Sequence, residues 1–143
     1  MLMNTLGWQF WALLSAVFAA LTAVFAKLGV EEVNSDLATF IRTVIILIAL
    51  GIILFVLDEF QSLRSVSRKS LLFLALSGLA TGASWVCYFR ALKLGNVAQV
   101  APIDKLSIVL VAIFSVLFLS ERLSPENWIG ILLISLGAVL VAM

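Results

Sequence analysis

The hydrophobic pattern of this chain consists of five long apolar runs separated by short polar connections. Each run is close to the length of about 20 residues that a helix needs to cross the hydrocarbon core of a bilayer. The predicted transmembrane helices cover residues 7–27, 36–57, 70–92, 97–119 and 126–143. They take up nearly the whole chain, and no internal repeat is visible. The pattern therefore predicts an all-α integral membrane protein in which residues 1–143 form a single domain.

Polar residues near the ends of the runs mark where the helices begin. The first run follows a segment without Lys or Arg and is too long for a signal peptide, so it is predicted to be a transmembrane helix with Trp8 and Trp11 at the interface. Residues 34–36 read Asn-Ser-Asp, any of which can cap the second helix, and Ser70 is a candidate cap for the third. Residues 124–126 read Ser-Pro-Glu, which is the favoured order of cap, first-turn proline and first-turn acid for the fifth.

The fourth run carries charges at a depth where charges are rare. Asp104 and Lys105 lie side by side near its middle, and a charged side chain at the centre of a membrane helix costs roughly 2.5–3.5 kcal/mol on insertion scales. Pro102 removes a backbone donor and clashes with the carbonyl of Ala98, so it is predicted to kink the helix. Asp104 is too short to reach the interface and needs a cationic partner, for which Arg42 and Lys105 are the candidates.

Polar and amphipathic groups from four of the helices are expected at a similar depth. With a rise of about 1.5 Å per residue, they lie roughly 10–15 Å from the membrane surface opposite the N-terminus, which we call side B. Such a layer inside a membrane bundle indicates a binding site. The predicted substrate-binding residues are Thr22, Arg42, Trp85, Tyr88, Asp104 and Lys105.

These residues also have interpretations that involve no substrate. Arg42 is long enough to extend its guanidinium toward side B, and Tyr88 is close enough to that surface to belong to the aromatic belt. Asp104 can serve in a purely structural ion pair, whereas Trp85 lies deeper and needs a partner for its indole N–H inside the bundle. The sequence leaves both kinds of interpretation open.

Composition narrows the functional classes. The chain has 143 residues, 64 % of them hydrophobic and 12 % charged, with a net charge of +1 and no basic run, so no nucleic-acid partner is expected. Histidine is absent and Cys87 is the only cysteine, so no metal site is expected. No second carboxylate lies near Asp104 and no phosphate-binding loop is visible. No catalytic residue and no cofactor are therefore predicted, and the chain is not expected to be an enzyme.

The charges of the connections are nearly balanced between the two membrane surfaces. On the N-terminal side they are Arg64, Arg68, Lys69 and Arg122, and on side B they are Lys27, Arg90 and Lys93. Orientation is normally set by an excess of Lys and Arg on one side. A single orientation and insertion in both orientations therefore stay open.

Two pairs of glycines have spacings that suit close helix packing. Gly78 and Gly82 are four residues apart in the third helix, and Gly130 and Gly137 are seven apart in the fifth. Residues at these spacings return to one face of a helix and let another helix approach. We expect them to serve in helix packing, within the chain or between chains.

The second half of the chain has the pattern of a known transporter family. It resembles the second half of an EamA-type domain of the drug/metabolite transporter superfamily, and the run SGLATGASWVCYFRAL from Ser77 to Leu92 resembles the third helix of that domain. The resemblance covers essentially the whole chain and is specific for the domain but not for a substrate. The features that match are Ala101-Pro102, Glu121-Arg122-Leu123 after the fourth helix, and Gly130 with Gly137 in the last helix.

This resemblance implies a secondary transporter in the cytoplasmic membrane of a bacterium or archaeon, with export of a small polar metabolite such as an amino acid. Most relatives join two such domains in opposite orientations, so this chain is expected to pair with a second copy as an inverted homodimer that works by alternating access. Related multidrug antiporters use a first-helix glutamate that is absent here, and Arg42 and Lys105 outweigh Asp104, which favours a zwitterionic or anionic solute. The alternative is a non-transporting or heteromeric membrane subunit whose intramembrane charges are structural.

Overall fold

The computed structural model describes residues 7–60 and 66–143, which contain the five predicted membrane spans. The helices in this part of the chain are α1 (Trp8–Val30), α2 (Ser35–Val56), α3 (Arg68–Leu94), α4 (Val97–Asp104), α5 (Ser107–Phe118) and α6 (Pro125–Ala142). Helices α4 and α5 together make one span, and all five spans are long and apolar enough to cross a membrane. The predicted all-α membrane architecture is therefore confirmed. Arg64, which was counted among the charges of the N-terminal side, lies outside the described residues.

Large apolar side chains are exposed along most of the helices. Phe55, Leu79 and Leu140 are examples, with exposed fractions of 78 %, 73 % and 71 %. A soluble protein rarely shows so extensive an apolar surface. In a bilayer the same side chains meet lipid tails that are as apolar as leucine, so their exposure carries no hydrophobic penalty.

Two of the predicted helix starts are confirmed by their caps. The side chain of Asn34 accepts hydrogen bonds from the backbone N–H groups of Asp36 and Leu37 at 2.9 and 3.2 Å, and α2 begins directly after it. The hydroxyl of Ser124 accepts from the N–H of Asn127 at 3.3 Å before α6. Each cap satisfies backbone donors that have no partner within the helix.

The third helix begins earlier than expected, and its predicted cap is wrong. Helix α3 starts at Arg68, and the hydroxyl of Ser67 accepts a hydrogen bond from the N–H of Ser70 at 3.1 Å. Ser70 is thus the donor in the first turn, three positions after the side chain that caps it. Helix α1 likewise continues to Val30, which places Lys27 in its last turn.

The fourth span is interrupted shortly after its proline. Helix α4 ends at Asp104 and α5 begins at Ser107, so two residues separate them. The N–H of Lys105 donates to the carbonyl of Pro102 at 3.0 Å, and the N–H of Leu106 donates to Ile103 at 3.0 Å. These bonds reach back three residues instead of four, which tightens the backbone into a 3₁₀-type turn. The span therefore consists of two helical segments joined at the charged residues.

The chain divides into two compact units. We call Lys27–Lys93 the central unit, and the described residues up to Ala26 together with Leu94–Met143 the terminal unit. In the terminal unit, α4 and α5 pack on α6, and the amide of Gln99 donates to the carbonyl of Ala142 at 3.4 Å. In the central unit, the buried residues include Val30, Phe89 and Leu92.

Candidate functional site

The central unit brings together two of the predicted site residues. The guanidinium carbon of Arg42 on α2 lies 3.8 Å from the centroid of a Trp85 ring on α3. The Phe89 ring, one helical turn further along α3, is 5.5 Å from the same carbon. An arginine over an aromatic face gains about 0.5–1 kcal/mol when exposed and about 2 kcal/mol when desolvated. Arg42 and Trp85 are both half-buried, so the stack joins α2 to α3 in a partly desolvated setting.

Tyr88 and Phe89 complete this aromatic environment. Tyr88 is half-buried and lies close enough to Arg42 to interact with it electrostatically. Phe89 is 3 % exposed. It was not predicted as a site residue, although its position four residues after Trp85 places it on the same face of α3 and was a usable signal.

Among the described residues of the central unit, no carboxylate pairs with Arg42. The carboxylate of Asp36 in this unit binds Arg90 instead. The guanidinium carbon lies over the Trp85 ring, and a guanidinium carries five N–H donors in a planar fork that matches a carboxylate. An arginine in this arrangement is suited to receive a carboxylate from a ligand through charge-assisted hydrogen bonds.

In the terminal unit, the two charges of the fourth span pair with each other. The ammonium of Lys105 lies 3.2 Å from Oδ2 of Asp104. Asp104 is half-buried at the end of α4, and the side chain of Lys105 is 62 % exposed. Neighbouring residues of a regular helix point about 100° apart, but here the helix ends and the long lysine side chain folds back. Lys105, one of the two predicted partners of Asp104, therefore forms an ion pair with it.

Thr22 and Pro102 are the other residues of the terminal unit that the sequence singled out. Thr22 is half-buried on α1, and Pro102 is half-buried inside α4. The predicted layer thus takes Arg42, Trp85 and Tyr88 from the central unit. It takes Thr22, Asp104 and Lys105 from the terminal unit.

A second polar cluster in the central unit was missed by sequence reasoning. Nε and Nη2 of Arg90 on α3 donate to the two carboxylate oxygens of Asp36 on α2, at 3.0 and 2.8 Å. At the same end, Nζ of Lys27 donates to the carbonyl of Leu92 at 2.9 Å, and Nζ of Lys93 donates to Val33 at 2.6 Å. These contacts join the end of α1 and the start of α2 to the end of α3. No signal in the sequence pairs Asp36 with Arg90, which follows 54 residues later.

The four glycines expected to serve in helix packing lie on open surface. A Cβ atom added at Gly78, Gly82, Gly130 or Gly137 would meet no neighbouring atom within 4 Å. Gly130 also lines a groove of about 440 Å³ between α5 and α6, together with Ala112 and Ser115. Their role in packing stays a prediction, and the open space leaves these faces available to a second chain.

Comparisons with known proteins identify the family. The model of the EamA-like transporter family matches residues 6–143. The chain is 62 % identical to an uncharacterized transporter in the cobO 3′ region of a Sinorhizobium species, over 95 % of this chain and 96 % of that protein. It is 27 % identical to an uncharacterized protein of Methanocaldococcus jannaschii, over 91 % of this chain and 92 % of the other. No solved structure matches the chain significantly. The five membrane spans and these similarities together show that the chain is a multi-pass membrane protein that belongs to the EamA-like transporter family.

Proposed function

We propose that this protein is a secondary transporter that exports a small polar metabolite carrying a carboxylate, such as an amino acid, across the cytoplasmic membrane of a bacterium or archaeon. The observation that carries the proposal is the cation of Arg42, which is held over Trp85 inside a membrane span and has no carboxylate partner among the described residues of the central unit. A charge at this depth in a membrane is energetically costly, so it is rarely present without a function. Transport in general is supported by the family and by the name of the Sinorhizobium relative.

The aromatic stack positions Arg42 for a carboxylate. The contacts with Trp85 and Phe89 restrict where the guanidinium lies, so less conformational freedom is lost when it binds a ligand. In the terminal unit, Asp104 and Lys105 carry one charge of each sign, and in this proposal Asp104 pairs with a cationic group or takes up a proton. The cation of Arg42 in the central unit favours a solute with a carboxylate over a simple cation.

The proposed transport unit is an inverted homodimer that works by alternating access. The Sinorhizobium relative is matched over 96 % of its length, which leaves no room in it for a second domain of this kind. Two inverted copies around a central site are a common transporter plan. The open faces at Gly78, Gly82, Gly130 and Gly137 and the nearly balanced charges of the connections support this assembly for the present chain.

Flux measurements in proteoliposomes test the site. Purified protein would be reconstituted with a mixture of unlabelled amino acids inside, and the counterflow of each radiolabelled amino acid would be measured. We expect Arg42→Gln to reduce flux at least tenfold and Asp104→Asn to reduce it severalfold, because a charge-assisted hydrogen bond to the solute is lost. Arg68→Gln removes an exposed arginine at the start of α3 and serves as the matched control with unchanged flux.

If the Arg42→Gln variant and the Asp104→Asn variant both transport at the wild-type rate, the proposed site is overturned. Absence of flux for every amino acid in the wild type would overturn the proposed function. In that case, copurification of an unlike membrane partner would favour the heteromeric subunit, and a stable homodimer without flux would favour a structural role of the charges.

A further inference from the structure

Three basic side chains form hydrogen bonds at the end of the central unit where α2 begins and α3 ends. Lys27 and Lys93 donate to backbone carbonyls. Arg90 pairs instead with the carboxylate of Asp36, through two parallel hydrogen bonds. A ligand that displaced either lysine would leave a carbonyl without its donor, which is unfavourable. Arg90 and Asp36 can instead replace their contact with each other by contacts with a ligand that carries both a negative and a positive group.

We propose that the Asp36–Arg90 ion pair is an outer binding site for a zwitterionic solute, a molecule with one carboxylate and one ammonium group. The solute's carboxylate replaces Asp36 on the guanidinium of Arg90, and its ammonium group replaces Arg90 on the carboxylate of Asp36. This inference rests on the proposed transport function and makes Asp36 and Arg90 the residues that select the solute before it reaches Arg42.

The exposure of the pair makes such an exchange accessible. The side chains of Arg90 and Asp36 are 59 % and 51 % exposed, so a solute can approach both of them. An exposed ion pair is weak, because water screens it and two long side chains lose freedom when they form it. A zwitterion replaces both charges one for one. A solute with a carboxylate alone leaves Asp36 unpaired, and one with an ammonium group alone leaves Arg90 unpaired.

The two helices that hold the ion pair also hold Arg42. Along α2, Arg42 follows Asp36 by six residues, which is about 9 Å of helix rise. Along α3, Trp85 precedes Arg90 by five residues, or roughly 7.5 Å. A carboxylate bound at Arg90 is therefore within about two helical turns of the second arginine. In this arrangement Asp36 holds the ammonium group of the solute and Arg90 holds its carboxylate.

Binding of three nearly isosteric probes tests the inference. L-alanine carries both charges, propionate lacks the ammonium group and ethylamine lacks the carboxylate. Their affinities for the purified full-length protein in lipid nanodiscs would be measured by isothermal titration calorimetry. We expect the wild type to prefer L-alanine over both other probes. Asp36→Asn should reduce the preference for L-alanine over propionate roughly two- to fivefold, the range expected for an exposed charge pair.

Matched variants separate ligand selection from a loss of structure. Asp36→Glu keeps the charge and should keep the preference for L-alanine. Glu31→Gln removes an exposed carboxylate from the connection between α1 and α2, and it should leave all three affinities unchanged. Arg90→Gln should reduce the preference for L-alanine over ethylamine, whereas Arg68→Gln at the other end of α3 should not.

The inference is overturned if the wild type binds L-alanine no better than propionate, if it binds none of the probes, or if Asp36→Asn keeps the full preference. Loss of flux in Arg42→Gln together with an unchanged preference in Asp36→Asn would overturn the outer site and leave the proposed transporter intact. Absence of amino-acid flux in the wild type would instead count against the transporter itself.

Discussion

Arg42 and Arg90 of the central unit make contacts that reach across helices, whereas Asp104 and Lys105 of the terminal unit pair within a single turn. Arg42 on α2 lies over Trp85 on α3, and Arg90 binds Asp36 over a sequence separation of 54 residues. In the terminal unit, Asp104 binds its immediate neighbour Lys105 where α4 ends. The first arrangement depends on the packing of two helices, and the second depends on the local backbone.

This difference makes the contacts of the two units sensitive to different movements of the helices. A shift of α2 relative to α3 changes the distances within the Arg42–Trp85 stack and the Asp36–Arg90 pair. The Asp104–Lys105 pair is insensitive to such a shift, because both residues belong to one short turn. It responds instead to a change in the interruption between α4 and α5, and interruptions of this kind are where membrane helices bend.

The largest effect is expected from Pro102→Ala, which removes the cause of the local arrangement. Proline inside a helix costs up to about 3 kcal/mol because it lacks an N–H and clashes with the preceding turn, and alanine is the best helix former. We expect α4 and α5 to approach one continuous helix. The apparent melting temperature should rise, and flux in proteoliposomes should fall severalfold because the interruption of the span is lost.

Pro125→Ala is the matched control, since the chain has two prolines and this one lies in the first turn of α6, where proline is well tolerated. It should change neither the melting temperature nor the flux appreciably. A Pro102→Ala variant that melts lower than the wild type, or that transports equally well, would contradict the role given to the interruption.

The membrane spans could be predicted from sequence because hydropathy is a local property. An apolar run of about 20 residues has few alternatives to a transmembrane helix, and the caps at Asn34 and Ser124 follow from residue chemistry within three positions. The start of α3 was harder to predict from the sequence, because Ser67 and Ser70 are both suitable caps and only the backbone geometry distinguishes them. Pro102 was predicted to kink the fourth helix. That the helix is interrupted at the charged residues became clear only from the backbone hydrogen bonds that reach back three residues.

Only part of the candidate site could be predicted from the sequence. Depth counting grouped Arg42 with Trp85, and the structure brings these two residues into contact. Depth carries no information on rotation about a helix axis or on which distant segment lies alongside. The Asp36–Arg90 pair was therefore invisible, and Arg90 was counted only as a charge that influences topology.

An intermediate effect is expected when the contact between α2 and α3 is removed. In a double-mutant cycle with Arg42→Met and Trp85→Leu, we expect a coupling energy of about 0.5–2 kcal/mol, the range for a cation over an aromatic ring. The apparent free energy of unfolding would be measured by titration with denaturing detergent. Phe89→Leu in place of Trp85→Leu should give a smaller coupling, because the Phe89 ring is 5.5 Å from the guanidinium instead of 3.8 Å. Additive effects of the Arg42 and Trp85 changes would show that the stack contributes no stability.

The smallest effect is expected for the pair within one turn. In a cycle with Asp104→Asn and Lys105→Gln, we expect a coupling energy smaller than that of Arg42 and Trp85. The two side chains are neighbours in sequence, so they also remain close in the unfolded state, and the pair distinguishes the two states weakly.

This last cycle can also reverse the comparison between the units. If the Asp104–Lys105 coupling equals that of Arg42 and Trp85, the pair cannot be as exposed as it is in the single chain, where the Lys105 side chain is 62 % exposed. Lipid around the span or a second copy of the chain would then be the source of the burial. Repeating the cycle at protein concentrations below and above dimer formation decides the point, because a coupling supplied by the partner disappears in the monomer while one supplied by the turn itself does not.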